Sequence, residues 1–345
     1  LSRETNLYYD VASNIQLDKM FLGKLGISLP LYVAFEKNVI TPQYNPLDPD
    51  TKLNQSLNNL EPSQSDFYSG ITKDIMTRRS FNLTNVHKTK MRKGAKSHFW
   101  DIENLSMNLG FSEMKRTNAT TAVYENREAH LGMTYNYSFK NMTFEPFKNF
   151  KTWNSPYLKL IKDFNISPLP SSIAITGNLE RRFIKTQLRN ADLTTEGILP
   201  NYEKSFTFDR NYNLRWGLTK NLNIDYTALA HTVIDEPAGD IKGDKVASDS
   251  IIANILSLGR MKYFQQNINA TYKVPFNKFP LTEWLGADAR YTAGYNWTAS
   301  PLGIMDTLGN MARNISTLTV NGQVNLETIY NKIPYLRKIW MQSEF

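Results

Sequence analysis

The four histidines of the chain are the residue type best suited to metal binding or general-base catalysis, but they are scattered: His87, His98, His130 and His231. No pair has the spacing of a zinc-binding helix, and no carboxylate cluster accompanies them. Asp235 and Glu236 are adjacent, but their segment is rich in Pro and Gly, which favours a solvated loop over a catalytic pair. Neither metal binding nor acid–base catalysis is predicted.

The sequence also lacks a recognisable nucleophile or phosphate-binding loop. Cysteine is absent, which excludes a thiolate nucleophile, a disulfide and a Cys-ligated metal. This composition suits passage through an oxidising compartment. The segment 23–26 (GKLG) is too short for a phosphate loop and precedes no clear helix, and no Ser stands in a nucleophile elbow. We therefore predict that the chain is not an enzyme and needs no cofactor.

The net charge of +8 comes from dispersed cations, with the densest run at 87–96 (HKTKMRKGAK) after Arg78 and Arg79. Such a run could contact the phosphates of a nucleic acid. No nucleic-acid recognition motif accompanies it, so we expect no nucleic-acid partner. The simpler interpretation is a loop in water or against anionic lipid headgroups.

Alternation of apolar and polar residues with a period of two recurs over most of the chain. Because successive side chains of a strand point to opposite sides, each segment predicts a strand with one apolar and one polar face. The predicted strands cover 27–35, 105–112, 129–139, 173–181, 206–218, 222–228, 264–274, 285–297 and 318–326. Residues 219–221 fit a hairpin turn between two of them.

The length of these segments and their aromatic residues favour a membrane protein. No stretch approaches the ~20 apolar residues of a membrane-spanning helix, whereas several alternating segments run for about 9–13 residues, as tilted barrel strands do. Aromatic residues make up 12% of the chain and cluster at the ends of apolar faces, where barrels carry interfacial girdles. The predicted fold is all-β, a transmembrane antiparallel β-barrel with a few short helices in turns or lumen.

This fold assigns a side to individual residues. The predicted lipid-facing residues are Leu29, Leu31, Leu109, Leu131, Met133, Ala287, Ala289 and Val320. The predicted interfacial aromatic anchors are Tyr135, Tyr137, Trp216, Trp284, Tyr291, Tyr295, Trp297 and Trp340. The predicted lumen-facing residues are Asn108, Thr134, Asn136, Asp225, Asp288 and Arg290.

Proline marks connections of a different kind. Pro156, Pro280 and Pro334 each precede a short apolar stretch, and Pro is favoured at the first position of a helix. The last two share the lead-in Asn-Lys-x-Pro, at 277–280 and 331–334. We expect short helical turns at one membrane interface, anchored by Trp and Lys.

A further helix is predicted from about Ser248 to Leu258, stopped by Gly259. Its expected apolar face consists of Ile251, Ile252, Ile255 and Leu256. The sequence leaves open whether it lies in the lumen or caps a rim. The segments 38–67 and 235–247, rich in Pro, Gly and polar residues, are predicted to be long loops.

Several motifs resemble the SprA (Sov) family, the outer-membrane translocon of the type 9 secretion system and of gliding motility. They are spread over nearly the whole chain: 41–50 (TPQYNPLDPD), 79–86 (RSFNLTNV), 295–303 (YNWTASPLG), 321–326 (NGQVNL) and 331–336 (NKIPYL). The resemblance implies an integral outer-membrane barrel formed by one chain of roughly 36 strands. Residues 1–345 would then be one barrel region, a fragment of a longer chain with roughly 12–16 strands. A start at Leu1 without a signal peptide fits this expectation.

The same resemblance implies a function and partners. The function is passage of folded proteins to the cell surface through a wide, gated channel. The implied partners are secreted cargo proteins, a PorV-like barrel at a lateral gate, a periplasmic plug protein, a prolyl-isomerase-like subunit and outer-membrane lipid. No gate or plug contact is assigned to a residue.

Two other classes of function stay open at this point. One is a smaller self-contained outer-membrane porin or transporter, which needs an even number of strands closing within this chain. The other is a soluble β-rich surface adhesin, which needs no detergent to stay in solution.

Overall fold

The alternating segments form long strands in the computed structural model, and the protein is all-β with a large antiparallel sheet and a few short helices. The structure describes residues 4–19, 26–90, 97–148, 158–190, 192, 194–304, 307, 309–333 and 335. Within this part of the chain, none of the helices is long and apolar enough to cross a membrane.

The elements follow one another along the chain with connections of varied length. The strands are β1 Glu4–Gln16, β2 Ile27–Ser28, β3 Pro30–Pro42, β4 Tyr44–Asn45, β5 Asp48–Lys52, β6 Asp74–Lys88, β7 Leu105–Thr117, β8 Thr121–Ser138, β9 Ser172–Leu188, β10 Asn201–Gly217, β11 Leu222–Val233, β12 Arg260–Val274, β13 Leu285–Thr298 and β14 Met311–Val324. The helices are α1 Leu53–Asn58, α2 Pro62–Thr72, α3 Lys159–Lys162, α4 Lys245–Leu256 and α5 Leu326–Lys332.

The strand order of the main sheet is β1-β3-β6-β7-β8-β9-β10-β11-β12-β13-β14, so from β6 onwards neighbours in sequence are also neighbours in the sheet. The short β2 pairs with β6, and β4 and β5 form a separate hairpin. Among the described residues, β1 pairs only with β3 and β14 pairs only with β13. Each of these two strands therefore has one edge without a neighbouring strand in the described structure.

The chain comprises two compact units. Unit 1 consists of Leu1–Tyr135, Thr176–Asp209 and His231–Met261, and unit 2 of Asn136–Ile175, Arg210–Ala230 and Lys262–Phe345.

In unit 1, the register of the strands aligns apolar side chains across the sheet. Residues directly opposite each other in an antiparallel pair lie on the same face. One row crosses five strands through Ile15, Leu31, Leu83, Leu109 and Leu131. The next row passes through Ser13, Val33, Phe81, Phe111 and Ala129.

The same face of unit 1 carries its buried core. Phe183 on β9 is almost fully buried, and Phe206 on β10 packs with Ile234 and Ile251. Ile251 belongs to α4, whose N-terminal end is capped by the Asp244 side chain accepting the Ala247 N–H (3.1 Å). The helix therefore covers one end of the sheet.

The predicted apolar face of this helix is only half correct. Ile251 and Ile255 pack against the sheet, whereas Ile252 and Leu256 are exposed. In addition, α4 begins within the segment 235–247 that was predicted as loop.

In unit 2, the strands β12, β13 and β14 show the same alignment. Tyr272, Ala289 and Val320 form one row across the three strands, and Ala270, Tyr291 and Leu318 form the next. Alternate positions form polar rows on the other face: Lys273, Asp288 and Asn321, then Thr271, Arg290 and Thr319. The predicted strands of this region are thus confirmed, although residue 326 belongs to α5.

The sequence pattern did not predict β1 or β6. In β6 the reason is a β-bulge, since the ladder shifts between Leu83 and Val86. Leu83 pairs with Leu109 and Val86 with Met107, so apolar residues three positions apart share a face and the alternation breaks. Asn85 supplies the extra residue in the left-handed region (φ 52°), which Asn tolerates well.

The predicted loop 38–67 is wrong for most of its length. Residues 38–42 end β3, and the rest contains β4, β5, α1 and the start of α2. Leu53 is almost fully buried, and the Asn45 side chain donates a hydrogen bond to the Tyr68 hydroxyl (3.0 Å). Because of these contacts, the polar, Pro-rich segment has a packed structure.

The short Pro-led turns are confirmed in two places, although only one of them contains a helix. The short α3 contains the predicted apolar residues Leu160 and Ile161. At Pro280 the 3₁₀ turn Phe276–Lys278 precedes the proline. Hydrogen-bonded turns follow it, since the Thr282 N–H donates to the Phe279 carbonyl (3.1 Å) and the Leu285 N–H to the Thr282 carbonyl (2.8 Å). Pro156 and Pro334 lie outside the described residues.

Candidate functional site

The predicted lipid-facing residues lie on the apolar faces of the two units. In unit 1, Leu31, Leu109 and Leu131 share one cross-strand row, and Met133 pairs with Met107. In unit 2, Ala287 lies between Val274 and Gly322, and Ala289 between Tyr272 and Val320. Leu29 stands in the one-residue gap between β2 and β3. Which medium covers these faces stays a prediction.

Most of the predicted aromatic anchors that the structure describes lie near strand ends, whereas Tyr291 is in the middle of β13. Several of them bond to the backbone of neighbouring connections. The Tyr135 hydroxyl donates to the Phe99 carbonyl. Trp216 Nε1 donates to the Ser167 carbonyl (2.8 Å), and Trp284 Nε1 to the Leu281 carbonyl (2.7 Å). Satisfied indole and phenol groups beside exposed apolar surface are typical of side chains at a membrane interface.

The remaining anchors form aromatic contacts or lie outside the described part. Tyr137 contacts Phe139 edge-on (4.7 Å between ring centroids), and Tyr295 lies 6.3 Å from Phe264. Tyr291 and Trp297 occupy the same face of β13 as Tyr295. Trp340 lies outside the described residues.

The predicted lumen residues lie on the polar faces. Asn108 is opposite Gly132 and accepts a hydrogen bond from the Asn85 N–H (2.6 Å), and Thr134 is opposite Ser106. Asp288 accepts from Asn321 Nδ2 (3.0 Å) and Arg290 lies between two threonines. Asn108 and Asp288 thus have hydrogen-bond partners on these polar faces, which are wettable surfaces.

Asn136 and Asp225 line a cleft of about 970 Å³ in unit 2. Its polar lining includes Asn213, Arg215 and Asn223. Mixed amide, acidic and basic groups in so wide a cleft suit a hydrated surface better than a small-ligand pocket, which is mostly apolar. In the described part of the chain, no group of three or more His, Cys, Asp and Glu side chains could hold a metal ion.

Sequence reasoning missed a set of charged rows on the apolar face of unit 1. Beyond Phe111, the next positions of β7 on this face are Glu113 and Lys115, opposite Arg127 and Glu125 of β8. Lys115 Nζ lies 3.1 Å from Glu113 and 3.4 Å from Glu125, and Arg127 lies 2.8 Å from Glu125. The signal was present in β7, where alternate residues change from apolar to charged after Phe111.

A second ion-pair group fastens the connection after β11. Arg181 Nε bonds to the buried Glu236 carboxylate (2.5 Å), and Lys204 Nζ lies 3.9 Å from the same carboxylate. Breaking a buried pair leaves an uncompensated charge, so this contact strongly favours one position of the connection that leads into α4. Asp235 and Glu236 are therefore structural residues: the Asp235 carboxylate pairs with Arg260 (2.7 Å).

Lysines join the three connections with predicted Pro-led turns, at one end of unit 2. Lys278, in the first Asn-Lys-x-Pro lead-in, pairs with Asp163 beside α3. Lys332, in the second, donates to the Pro280 carbonyl and pairs with Glu283 (2.8 Å). The repeated lysine thus links each of these connections to the preceding one.

The connections also hold carboxylates whose acidity is altered. Hydrogen bonds from Lys148 and Lys220 lower the pKa of Glu145 to about 2. The pKa of Asp101 is lowered chiefly by the hydrogen bond from the His98 backbone N–H, and the pKa of Glu103 by its own backbone N–H and by Lys88. All three side chains are therefore charged at neutral pH.

The fold and the surface define an all-β protein with a large antiparallel sheet. The strands described above have one apolar and one polar face, and hydrogen-bonded aromatic residues lie at strand ends. Residues 2–57 match the family SprA_N, described as motility related/secretion protein. The match relates the N-terminal part of the chain, from β1 into α1, to motility and secretion proteins. None of the curated proteins matches the chain.

Proposed function

We propose that the chain forms a sector of the wall of a large outer-membrane β-barrel, which passes folded proteins to the cell surface in type 9 secretion. The single observation that carries this proposal is the height of the apolar face in unit 2. On β12 and β13 that face extends from the Phe264–Trp297 pair to the Val274–Ala287 pair, ten residues further along β12. Gln266 interrupts it on β12, and Asn314 and Ser316 interrupt it on β14. Ten residues span about 34 Å along a strand, or roughly 26 Å along the membrane normal at a tilt of ~40°.

This height agrees with the apolar band of outer-membrane barrels, which is about 25 Å tall and is flanked by aromatic girdles. Several aromatic residues of unit 2 lie where girdles are expected, whereas Tyr291 lies in the middle of the face. Trp297 and Phe264 lie at one limit of the face. Trp284 lies just before the start of β13, beyond the Val274–Ala287 pair at the other limit. The height of the apolar face of a soluble sheet is not constrained by the thickness of a membrane.

The opposite face supports a water-filled lumen. Its rows of Asn, Thr, Asp, Arg and Lys are polar across three consecutive strands. Wide barrels hold water, whereas narrow ones fill with side chains. A channel for folded proteins needs a wide lumen and a hydrated wall that binds no cargo tightly.

The open edges of β1 and β14 support a sector within a larger wall. Exposed strand edges attract further strands, and barrels remove them by closure. The family match at residues 2–57 supports the secretion role. The proposed partners are secreted cargo, a PorV-like barrel at a lateral gate, a periplasmic plug protein, a prolyl-isomerase-like subunit and outer-membrane lipid.

The test is the mass of the intact denatured chain after detergent extraction of the native protein from outer membranes. A chain several times heavier than the 39.7 kDa of these residues is expected for a sector of a giant wall. A chain near 39.7 kDa contradicts the sector and favours a self-closing porin. Recovery in the aqueous fraction without detergent contradicts any barrel and favours the adhesin.

A further inference from the structure

The connection between β6 and β7 ends in a short turn that exposes large apolar side chains. In this aromatic turn (residues 97–104), Phe99 is 49% exposed, Trp100 80% and Ile102 60%. Three adjacent side chains of this size represent a substantial apolar surface in water. Such patches mark contacts with proteins or membranes.

The aromatic turn is held rigid by its own hydrogen bonds. The Asp101 carboxylate accepts from the His98 N–H (2.7 Å), and Asn104 Nδ2 donates to the His98 carbonyl (2.8 Å). The His98 ring stacks on Trp100 at 5.2 Å between centroids. Because these polar groups are satisfied within the turn, it can leave bulk water at little cost in unmade hydrogen bonds.

The charges of the aromatic turn are also paired. Lys90 Nζ lies 3.6 Å from Asp101, and Lys88 Nζ lies 3.2 Å from Glu103. The lowered pKa values of both acids keep these pairs charged at neutral pH. Carboxylates paired with lysines repel the anionic groups of a lipid surface less than free carboxylates do.

The aromatic turn continues the apolar face of unit 1. The Phe99 ring lies edge-on against Tyr135, with 5.6 Å between centroids, and Tyr135 is directly opposite Leu105. The apolar positions of β7 from Leu105 to Phe111 span only about 20 Å along the strand, or roughly 15 Å at a barrel tilt. This height is less than that of the apolar band of a barrel, which is about 25 Å tall. The aromatic turn extends the apolar face beyond Leu105, at the start of β7.

We propose that the aromatic turn is a lipid anchor, in which Phe99, Trp100 and Ile102 enter the headgroup region of the bilayer beside β7 and β8. The proposal rests on the proposed barrel. Its occupant is lipid because the surface joins the face expected to meet lipid, carries paired charges, and combines a Trp with nearby Lys, as interfacial anchors do.

The experiment places a fluorophore at position 100 of the full-length protein through Trp100→Cys, since residues 1–345 contain no other Cys. The protein is reconstituted in phosphatidylcholine vesicles with or without lipid brominated high on its acyl chains. The matched control is Leu199→Cys, 87% exposed in the connection between β9 and β10, which lies at the opposite strand ends of unit 1. A third label at Met133→Cys reports the apolar face itself.

We expect brominated lipid to quench the label at 100 strongly and the label at 199 hardly at all, and aqueous iodide to do the reverse. Iodide quenching at 100 equal to that at 199 overturns the lipid anchor. Protection of position 100 from both quenchers also overturns it, because a protein partner then covers the turn. If brominated lipid quenches the label at position 133 but not the label at position 100, only the lipid-anchor proposal is refuted. If it quenches neither label, the barrel proposal is refuted as well.

Discussion

At the scale of single residues, the side of the sheet on which a side chain lies decides its role. Val320 and Thr317 are both on β14 and both exposed, but Val320 continues the apolar row of Ala289 whereas Thr317 lies opposite Thr292 on the polar face. On an exposed edge strand the two positions differ in little but the face they occupy. They therefore form a matched pair.

We predict that Val320→Arg costs about 2–4 kcal/mol of barrel stability, because a midplane position then exposes a charge to lipid, whereas Thr317→Arg costs about 0–1 kcal/mol. The measurement is urea unfolding of both variants in lipid vesicles, with assembly in the outer membrane as a second readout. Equal effects of the two substitutions would show that the faces are assigned wrongly.

Glu145 makes a pH-dependent link between two connections of unit 2. Its folded-state pKa of about 2 lies below the ordinary value of 4.5, because Lys148 and Lys220 donate hydrogen bonds to the carboxylate. The stabilisation is therefore complete above pH 4.5 and is lost as the pH falls towards 2. Added salt weakens it, since the group is near the surface.

We expect the thermal midpoint of the wild type to fall between pH 4.5 and pH 2 more steeply than that of Glu145→Gln. Glu327→Gln, in the exposed first turn of α5, is the control for loss of a carboxylate without these lysines. Identical slopes for wild type and Glu145→Gln in this pH window would refute the link.

At the scale of elements, α4 is held to the sheet by a few contacts. Ile251 packs against Phe206 and Ile234, while its neighbour Ile252 is exposed. The helix has a cap at Asp244, and Leu258, the residue after the C-cap Ser257, adopts the positive φ (64°) that ends helices, followed by Gly259 (φ 72°). Ile251, which belongs to the buried cluster, is therefore expected to contribute most to docking of the helix.

We predict that Ile251→Ala destabilises unit 1 by about 2–4 kcal/mol, because it opens a cavity in the core, whereas Ile252→Ala changes stability by less than about 0.5 kcal/mol. Chemical denaturation monitored by far-UV circular dichroism measures both. A large loss with Ile252→Ala would mean that a further surface covers the exposed side of α4.

At the scale of the whole molecule, the free edges of β1 and β14 are the feature that most needs a partner. Their strands of 13 and 14 residues carry exposed apolar side chains such as Val11 and Leu318. Long, exposed, apolar edges promote aggregation, and native proteins cover or close them. We therefore expect both edges to be paired in the complete protein.

Hydrogen exchange by mass spectrometry on the full-length protein in vesicles tests this expectation. Peptides from β1 and β14 should be as protected as peptides from β7, which has neighbours on both sides. Exchange of β1 and β14 within seconds, beside a protected β7, would show that their edges stay open and would contradict a continuous wall.

The sequence by itself determined the strands and their two faces, because alternation is a local property with a period of two residues. This reasoning located β7, β8, β12 and β13 and placed Leu131, Ala289 and Asp288 on their faces. It missed β6, since a bulge at Asn85 changes the period, and it took the capped segment 38–67 for a loop, since Leu53 is buried by partners distant in sequence.

Only the tertiary structure decided which strands pair and in what register. The register places Glu113 and Lys115 against Arg127 and Glu125, seats Ile251 instead of Ile252 on the core, and brings Phe99 to Tyr135. Each of these contacts joins residues whose separation along the chain carries no periodic signal. The local sequence therefore determines the two faces of a sheet. The charged rows, the docked helix and the position of the aromatic turn depend on how the strands align.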